Sequence, residues 1–136
     1  MLRELSAART ALLLLCWLGT GLPVRAATST ERGRLLFEQC AACHSLKPND
    51  DGVGPSLSGV VGRKAGMRVG FRYSAALRQS GIFWTTAALD AFLHNPQARI
   101  PGNRMPFSGI EDRRDRADLI EYLRRAAQSV EPQRAQ

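Results

Sequence analysis

Residues 40–44 read CAACH, and this short stretch restricts the rest of the chain more than any other. Two thiols three positions apart, followed directly by an imidazole, form the C-x-x-C-H signal for covalent haem attachment in an exported chain. The spacing has a physical reason. The thiols of Cys40 and Cys43 can add to the two vinyl groups on one side of a porphyrin. The next residue, His44, then presents a ring nitrogen to the iron as the proximal axial ligand. Three other readings use the same residues. A thioredoxin-like redox pair belongs in a strand–helix context, and none surrounds this motif. A small disulfide with an incidental histidine suits an oxidising compartment. Zinc needs further ligands, and beyond residue 26 the one other cysteine or histidine is His94.

The haem reading requires export, and the N-terminus supplies the signal for it. Arg3 and Arg9 precede the uncharged run ALLLLCWLGTGL (11–22), and PVRA follows with Val24 and Ala26 at the small-residue positions. This pattern predicts a secretory signal peptide over 1–26, cleaved after Ala26. An uncleaved anchor is the alternative, but the run is shorter than the roughly 20 apolar residues of a membrane span. Cys16 leaves with the peptide as apolar filler. The remaining 27–136 are enough for one domain. The removed segment holds three arginines and one glutamate, so the net charge falls from +7 to +5. In an exported chain such a balance favours an acidic protein surface or an anionic membrane over nucleic acid.

Local signals predict short helices and long loops. Thr28 and Glu31 fit a capping box, and Gly33, Leu36, Phe37 and Cys40 share one face of the helix that follows. From Lys47 to Gly70 the chain is crowded with Gly, Pro, Asn and Asp, the residues of turns, and a loop of this length asks for something to organise it. GVGPSLSG (52–59) is not a phosphate-cradling loop: Pro55 has no N–H to offer and no apolar strand precedes it. Ser74 to Gly81 reads as a short helix. Thr85 or Thr86 caps another, with Leu89, Phe92 and Leu93 as its stripe and Pro96 as its end. A last helix starts near Asp112, with Asp115 and Asp118 early and Arg124 and Arg125 late, as the macrodipole prefers. Leu119, Ile120, Tyr122 and Leu123 form its apolar surface, and the tail after Val130 is polar. Such helices bury little by themselves, and a large flat apolar group at the centre would complete the core. For a second axial ligand the candidates are Met67, His94 and Met105. Met105, in the proline-bounded loop PGNRMPF (101–107), has the spacing to come round to the opposite face.

Several separate blocks resemble the class I c-type cytochromes, close to mitochondrial cytochrome c and its soluble bacterial relatives. They are GRLLFEQCAACHSL, GVGPSLSGVVGRKAG, FRYSAAL, SGIFW, FLHNPQARIPGNRMPFSGI and DRADLIEYLRRA, within a match that runs from about Glu31 to Ala127. The resemblance implies an all-α single-haem fold with short helices and long loops around one covalent haem c, its core spanning 31–127. It implies that Met105 is the distal sulfur ligand and that the Pro55 carbonyl accepts a hydrogen bond from the His44 ring. Arg63, Tyr73 and Trp84 match positions that hold a buried haem propionate, and Phe107 matches the aromatic beside the distal face. Gly33 and Phe37 should pack against Leu119 and Tyr122. Two positions depart from the mitochondrial pattern. Phe92 stands where a tyrosine lies beside the sulfur, and Leu77 where an asparagine enters the haem pocket, so the distal side should be drier. The lysine ring around the haem edge is mostly missing, with Arg63, Arg68, Arg72, Arg78, Arg99 and Arg104 as substitutes.

The function so implied is that of a soluble periplasmic one-electron carrier, not an enzyme. Its partners would be a quinol-oxidising complex upstream and a terminal oxidase or photosynthetic reaction centre downstream, met as a monomer through a basic face. Two alternatives share the motif: a dedicated electron acceptor of an exported dehydrogenase, and a haem peroxidase or ligand-binding protein with a labile methionine.

Overall fold

The computed structural model describes residues 27–128. The expected signal peptide with its cleavage after Ala26, and the polar tail, lie outside these residues. Five helices follow in order: α1 Ser29–Ala41, α2 Ala75–Gln79, α3 Thr86–His94, α4 Pro96–Arg99 and α5 Arg113–Gln128. Among the described residues there is no strand, only an isolated bridge between Lys64 and Phe83.

The first helix begins where its capping signal places it. The Thr28 hydroxyl accepts from the Glu31 N–H at 3.2 Å, and the Glu31 carboxylate accepts from the Thr28 N–H at 2.7 Å. Both satisfy donors that the first turn cannot pair internally. Ser74 caps α2 and Thr85 caps α3 in the same manner. The expectation that Pro96 simply ends the third helix is incomplete. Pro96 is the first residue of α4, and Asn95 is its cap, accepting from the Ala98 N–H at 2.9 Å. Proline lacks only a donor that the first turn leaves unpaired anyway, so one residue can both stop a helix and start the next.

The scaffold rests on α1 crossing α5. A Cβ added at Gly33 would lie 2.1 Å from the Asp118 carbonyl oxygen and 2.6 Å from the Tyr122 Cβ, so the two backbones meet where glycine allows it. One turn on, the Phe37 and Tyr122 rings pack with centroids 5.7 Å apart. Arg32 fastens the crossing from the rim, reaching Asp115 at 2.7 Å and Asp118 at 3.1 Å. The buried stripe Leu119, Ile120 and Leu123 of α5 continues the core to Leu89, Phe92 and Leu93 of α3, with the Trp84 and Phe92 rings tilted against each other at a centroid distance of 4.9 Å.

Glu121 accepts from both Arg124 and Arg125, and these bonds lower its carboxyl to about 2 from 4.5. A depressed carboxyl contributes stability above its unfolded value, and the contribution is lost as pH falls through the folded one. Glu121→Gln is therefore expected to lower Tm by about 2 °C at pH 7, the scale of an exposed pair. The difference should shrink from about pH 4.5 downward and vanish below about pH 2. Thermal melts of both proteins across that range check it.

Candidate functional site

Cys40 lies on the last turn of α1, and the chain then turns tightly: the N–H groups of Cys43 and His44 both donate to the Cys40 carbonyl, at 3.0 and 2.9 Å. Both thiols are free, so the pair forms no disulfide here. Burial, with Cys43 adding to it, pushes the Cys40 thiol above its ordinary range.

His44 Nδ1 sits 2.7 Å from the Pro55 carbonyl oxygen. A carbonyl can only accept, so Nδ1 carries a proton, and Nε2 is the nitrogen that a metal could take. Gly54 fixes the same ring from the side. A Cβ there would fall 2.7 Å from Nδ1 and 2.9 Å from Nε2, so only glycine lets the backbone lie against the imidazole. The Gly54 N–H donates to the Cys43 carbonyl at 2.8 Å, which ties this loop directly to the cysteine turn.

The long loop is organised in large part by its own side chains. Ser56 is fully buried; its hydroxyl donates to the Lys47 carbonyl at 2.6 Å, and its N–H donates to Asp51 at 2.8 Å. Arg63 reaches back across the loop to the carbonyls of Ser58 (3.0 Å) and Ser56 (3.1 Å). Burial lowers the affinity of this guanidinium for its proton, and the Tyr73 phenol beside it works in the opposite direction. Among the described residues Arg63 has no carboxylate partner, because Asp51 pairs with Arg68 at 2.7 Å. Tyr73 and Trp84 are buried nearby along the chain, and neither polar tip is hydrogen-bonded to another described residue. A half-buried cation with unclaimed donors around it suits a carboxylate brought in from outside the chain, and a haem propionate has that chemistry.

Met105 is half-buried and packs against the core together with Phe107 and Leu77. The other two ligand candidates lie outward: Met67 is 58% exposed, and His94 is exposed at the end of α3. Phe92 is buried against Trp84 and offers no hydroxyl. Of the arginines expected to replace a lysine ring, Arg68 is neutralised by Asp51, whereas Arg104 and Arg78 hydrogen-bond the Arg72 and Tyr73 carbonyls and keep their charge.

Residues not singled out in the sequence complete the surroundings. Asn103 and Gln97 bond the backbone on either side of Met105. Arg116, with its side chain 8% exposed, joins Asp90 at 2.7 Å to the carbonyls of Ile110 and Glu111, both at 2.8 Å. It thereby anchors the segment that follows the methionine loop. The Gly102-Asn103 pair just before the methionine is the one available signal for the first of these, since both residue types mark turns.

The family described as Cytochrome c matches residues 30–127. Cytochrome c2 of Rhodomicrobium vannielii is 46% identical over 99 residues, covering 72% of this chain and 79% of that protein. Cytochrome c of Euglena viridis is 42% identical over 95 residues, 69% of this chain and 93% of its own. Among solved structures, cytochrome cH from Methylobacterium extorquens superposes with a TM-score of 0.66 at 42% identity, covering 69% of this chain and 95% of that one. A match that runs through every helix described here leaves a single interpretation of two free thiols beside an oriented imidazole: the chain belongs to the cytochrome c family and carries haem c through Cys40 and Cys43.

Proposed function

We propose that this electron carrier works in the bacterial periplasm after export, with His44 and Met105 as the two axial ligands of its haem iron. Haem c supplies the one-electron exchange between ferric and ferrous iron. The residues of the chain supply orientation, burial and charge. The observation that carries the reading is the His44–Pro55 bond at 2.7 Å, which makes Nδ1 the donor nitrogen and leaves Nε2 as the one that can face a metal. Met105, half-buried in the core cluster, offers the second ligand; a thioether opposite an imidazole favours the reduced state. Arg63, Tyr73 and Trp84 hold a propionate, and Phe107 covers the distal side. Cytochrome c2 relatives from Rhodomicrobium vannielii and Rhodoblastus acidophilus support a place between membrane complexes, a quinol-oxidising one upstream and an oxidase or reaction centre downstream.

Charge steers the encounter. From Gly52 to Leu89 the chain holds no carboxylate, and besides Arg63 and the Asp51-paired Arg68 it carries Lys64, Arg72 and Arg78. The protein meets its partners as a monomer through this basic side, in small transient contacts. The test is kinetic: reduced protein is mixed with membranes from its own cell, and oxidation is followed at increasing ionic strength. Oxidation should be fast and should slow about tenfold or more between 10 and 200 mM salt, roughly the range over which the Debye length shrinks from 30 to below 10 Å. A rate indifferent to salt would remove the steering. No oxidation at all would favour service to an exported dehydrogenase.

A further inference from the structure

We infer that Asn103 is the positioning residue that keeps the Met105 sulfur in place, an inference that rests on the reading of Met105 as an iron ligand. Asn103 is 7% exposed although its neighbours Gly102 and Arg104 are on the surface. Its Nδ2 donates to the Pro96 carbonyl at 2.8 Å and to the Ile100 carbonyl at 2.9 Å. Its Oδ1 accepts from the Met105 N–H at 2.9 Å. The amide has one orientation that satisfies all three, because carbonyls cannot donate and an N–H cannot accept. One buried side chain therefore bonds α4 on one edge and the ligand residue on the other. Gln97 adds an outer layer, donating to the Met105 carbonyl at 3.1 Å.

This arrangement opposes departure of the sulfur. Met105 cannot swing out with its backbone unless it abandons Oδ1, and Asn103 cannot follow without giving up both Nδ2 bonds to the α4 turn and stranding its own buried amide. A group left buried and unpaired costs more than a hydrogen bond contributes when made. The rest of the strap offers no substitute. Pro106 has no N–H, and the Phe107 N–H is already committed to the Met105 carbonyl at 2.9 Å. Asn103 thus sets the population of the state in which the sixth position is open.

The experiment is an imidazole titration of the ferric holoprotein at 25 °C, alongside the sulfur-to-iron charge-transfer band and a thermal melt. Imidazole competes with Met105, so its apparent affinity scales with the open fraction. Asn103→Ala is expected to bind imidazole about 10- to 100-fold more tightly, as loss of its buried bonds implies. Gln97→Ala, at an exposed position that tolerates truncation, should gain about 2- to 5-fold. Leu123→Ala, on α5 rather than in the strap and making none of its hydrogen bonds, should lower the melting temperature and leave imidazole affinity unchanged. The inference is overturned if Asn103→Ala stays within 1.5-fold of the parent, if Gln97→Ala gains more than Asn103→Ala, or if Leu123→Ala matches Asn103→Ala. Absence of the charge-transfer band from the parent protein would instead remove the methionine reading itself.

Discussion

Gly33→Ala is expected to destabilise the holoprotein by about 3 kcal/mol, seen as a drop in Tm of roughly 12–24 °C. Helix propensity alone predicts the opposite sign, because alanine is better than glycine in a helix interior by about 1 kcal/mol. The geometry decides between them. The new methyl would lie 2.1 Å from the Asp118 carbonyl oxygen and 2.6 Å from the Tyr122 Cβ. Neither atom is the end of a flexible side chain, so α1 and α5 must separate. Separation loosens the Phe37–Tyr122 ring contact and stretches the Arg32 pairs to Asp115 and Asp118. Domains of this kind hold about 5–15 kcal/mol in total, so the loss is a large part of the margin. Denaturant midpoints of the two holoproteins measure it, and a neutral or stabilised Gly33→Ala would show that the crossing gives way cheaply.

What the sequence displayed, and what it hid, follows from the range of the forces involved. The capping box at Thr28 and Glu31 and the apolar stripe Leu89, Phe92, Leu93 are written within a few residues, and the structure has both. The chemistry of residues 40–44 was equally legible, since two thiols three positions apart and the imidazole directly after them must sit together to meet one macrocycle. α4 was hidden because Pro96 carries two meanings, stop and start, which local pattern does not separate. The Arg116–Asp90 pair joins residues 26 apart, and neither position differs in type from the many other charges on the surface. Ser56 looked like one more loop serine. Its full burial and its bonds to Lys47 and Asp51 exist only once the loop has closed. The long loop was expected to need a bound group to organise it. It does enclose polar groups that invite one, around Arg63, yet its own side chains already cross-link much of it.

Met105→Ala is expected to abolish the sulfur-to-iron charge-transfer band and to lower the reduction potential by a sizeable part of the roughly 0.8 V that axial ligation spans. A thioether is neutral and polarizable, so it favours the ferrous state; water or an oxygen ligand in its place favours the ferric one. The haem should stay bound, because its attachment through Cys40 and Cys43 is independent of the sulfur. The helices should stay as well: Asn103 still bonds Pro96 and Ile100, and Arg116 still holds Ile110 and Glu111. Far-UV circular dichroism should therefore change little while the potential moves far. Met67→Ala and His94→Ala provide the contrast, since both side chains are exposed and neither packs into the core cluster. Both variants should keep the band and the parent potential. If either of them lost the band and Met105→Ala kept it, the second ligand would belong to that residue. The open position left by Met105→Ala should also bind imidazole without competition, which sets the upper limit toward which Asn103→Ala moves. A single titration then places the parent, the loosened strap and the missing sulfur on one scale of how often the sixth position is free.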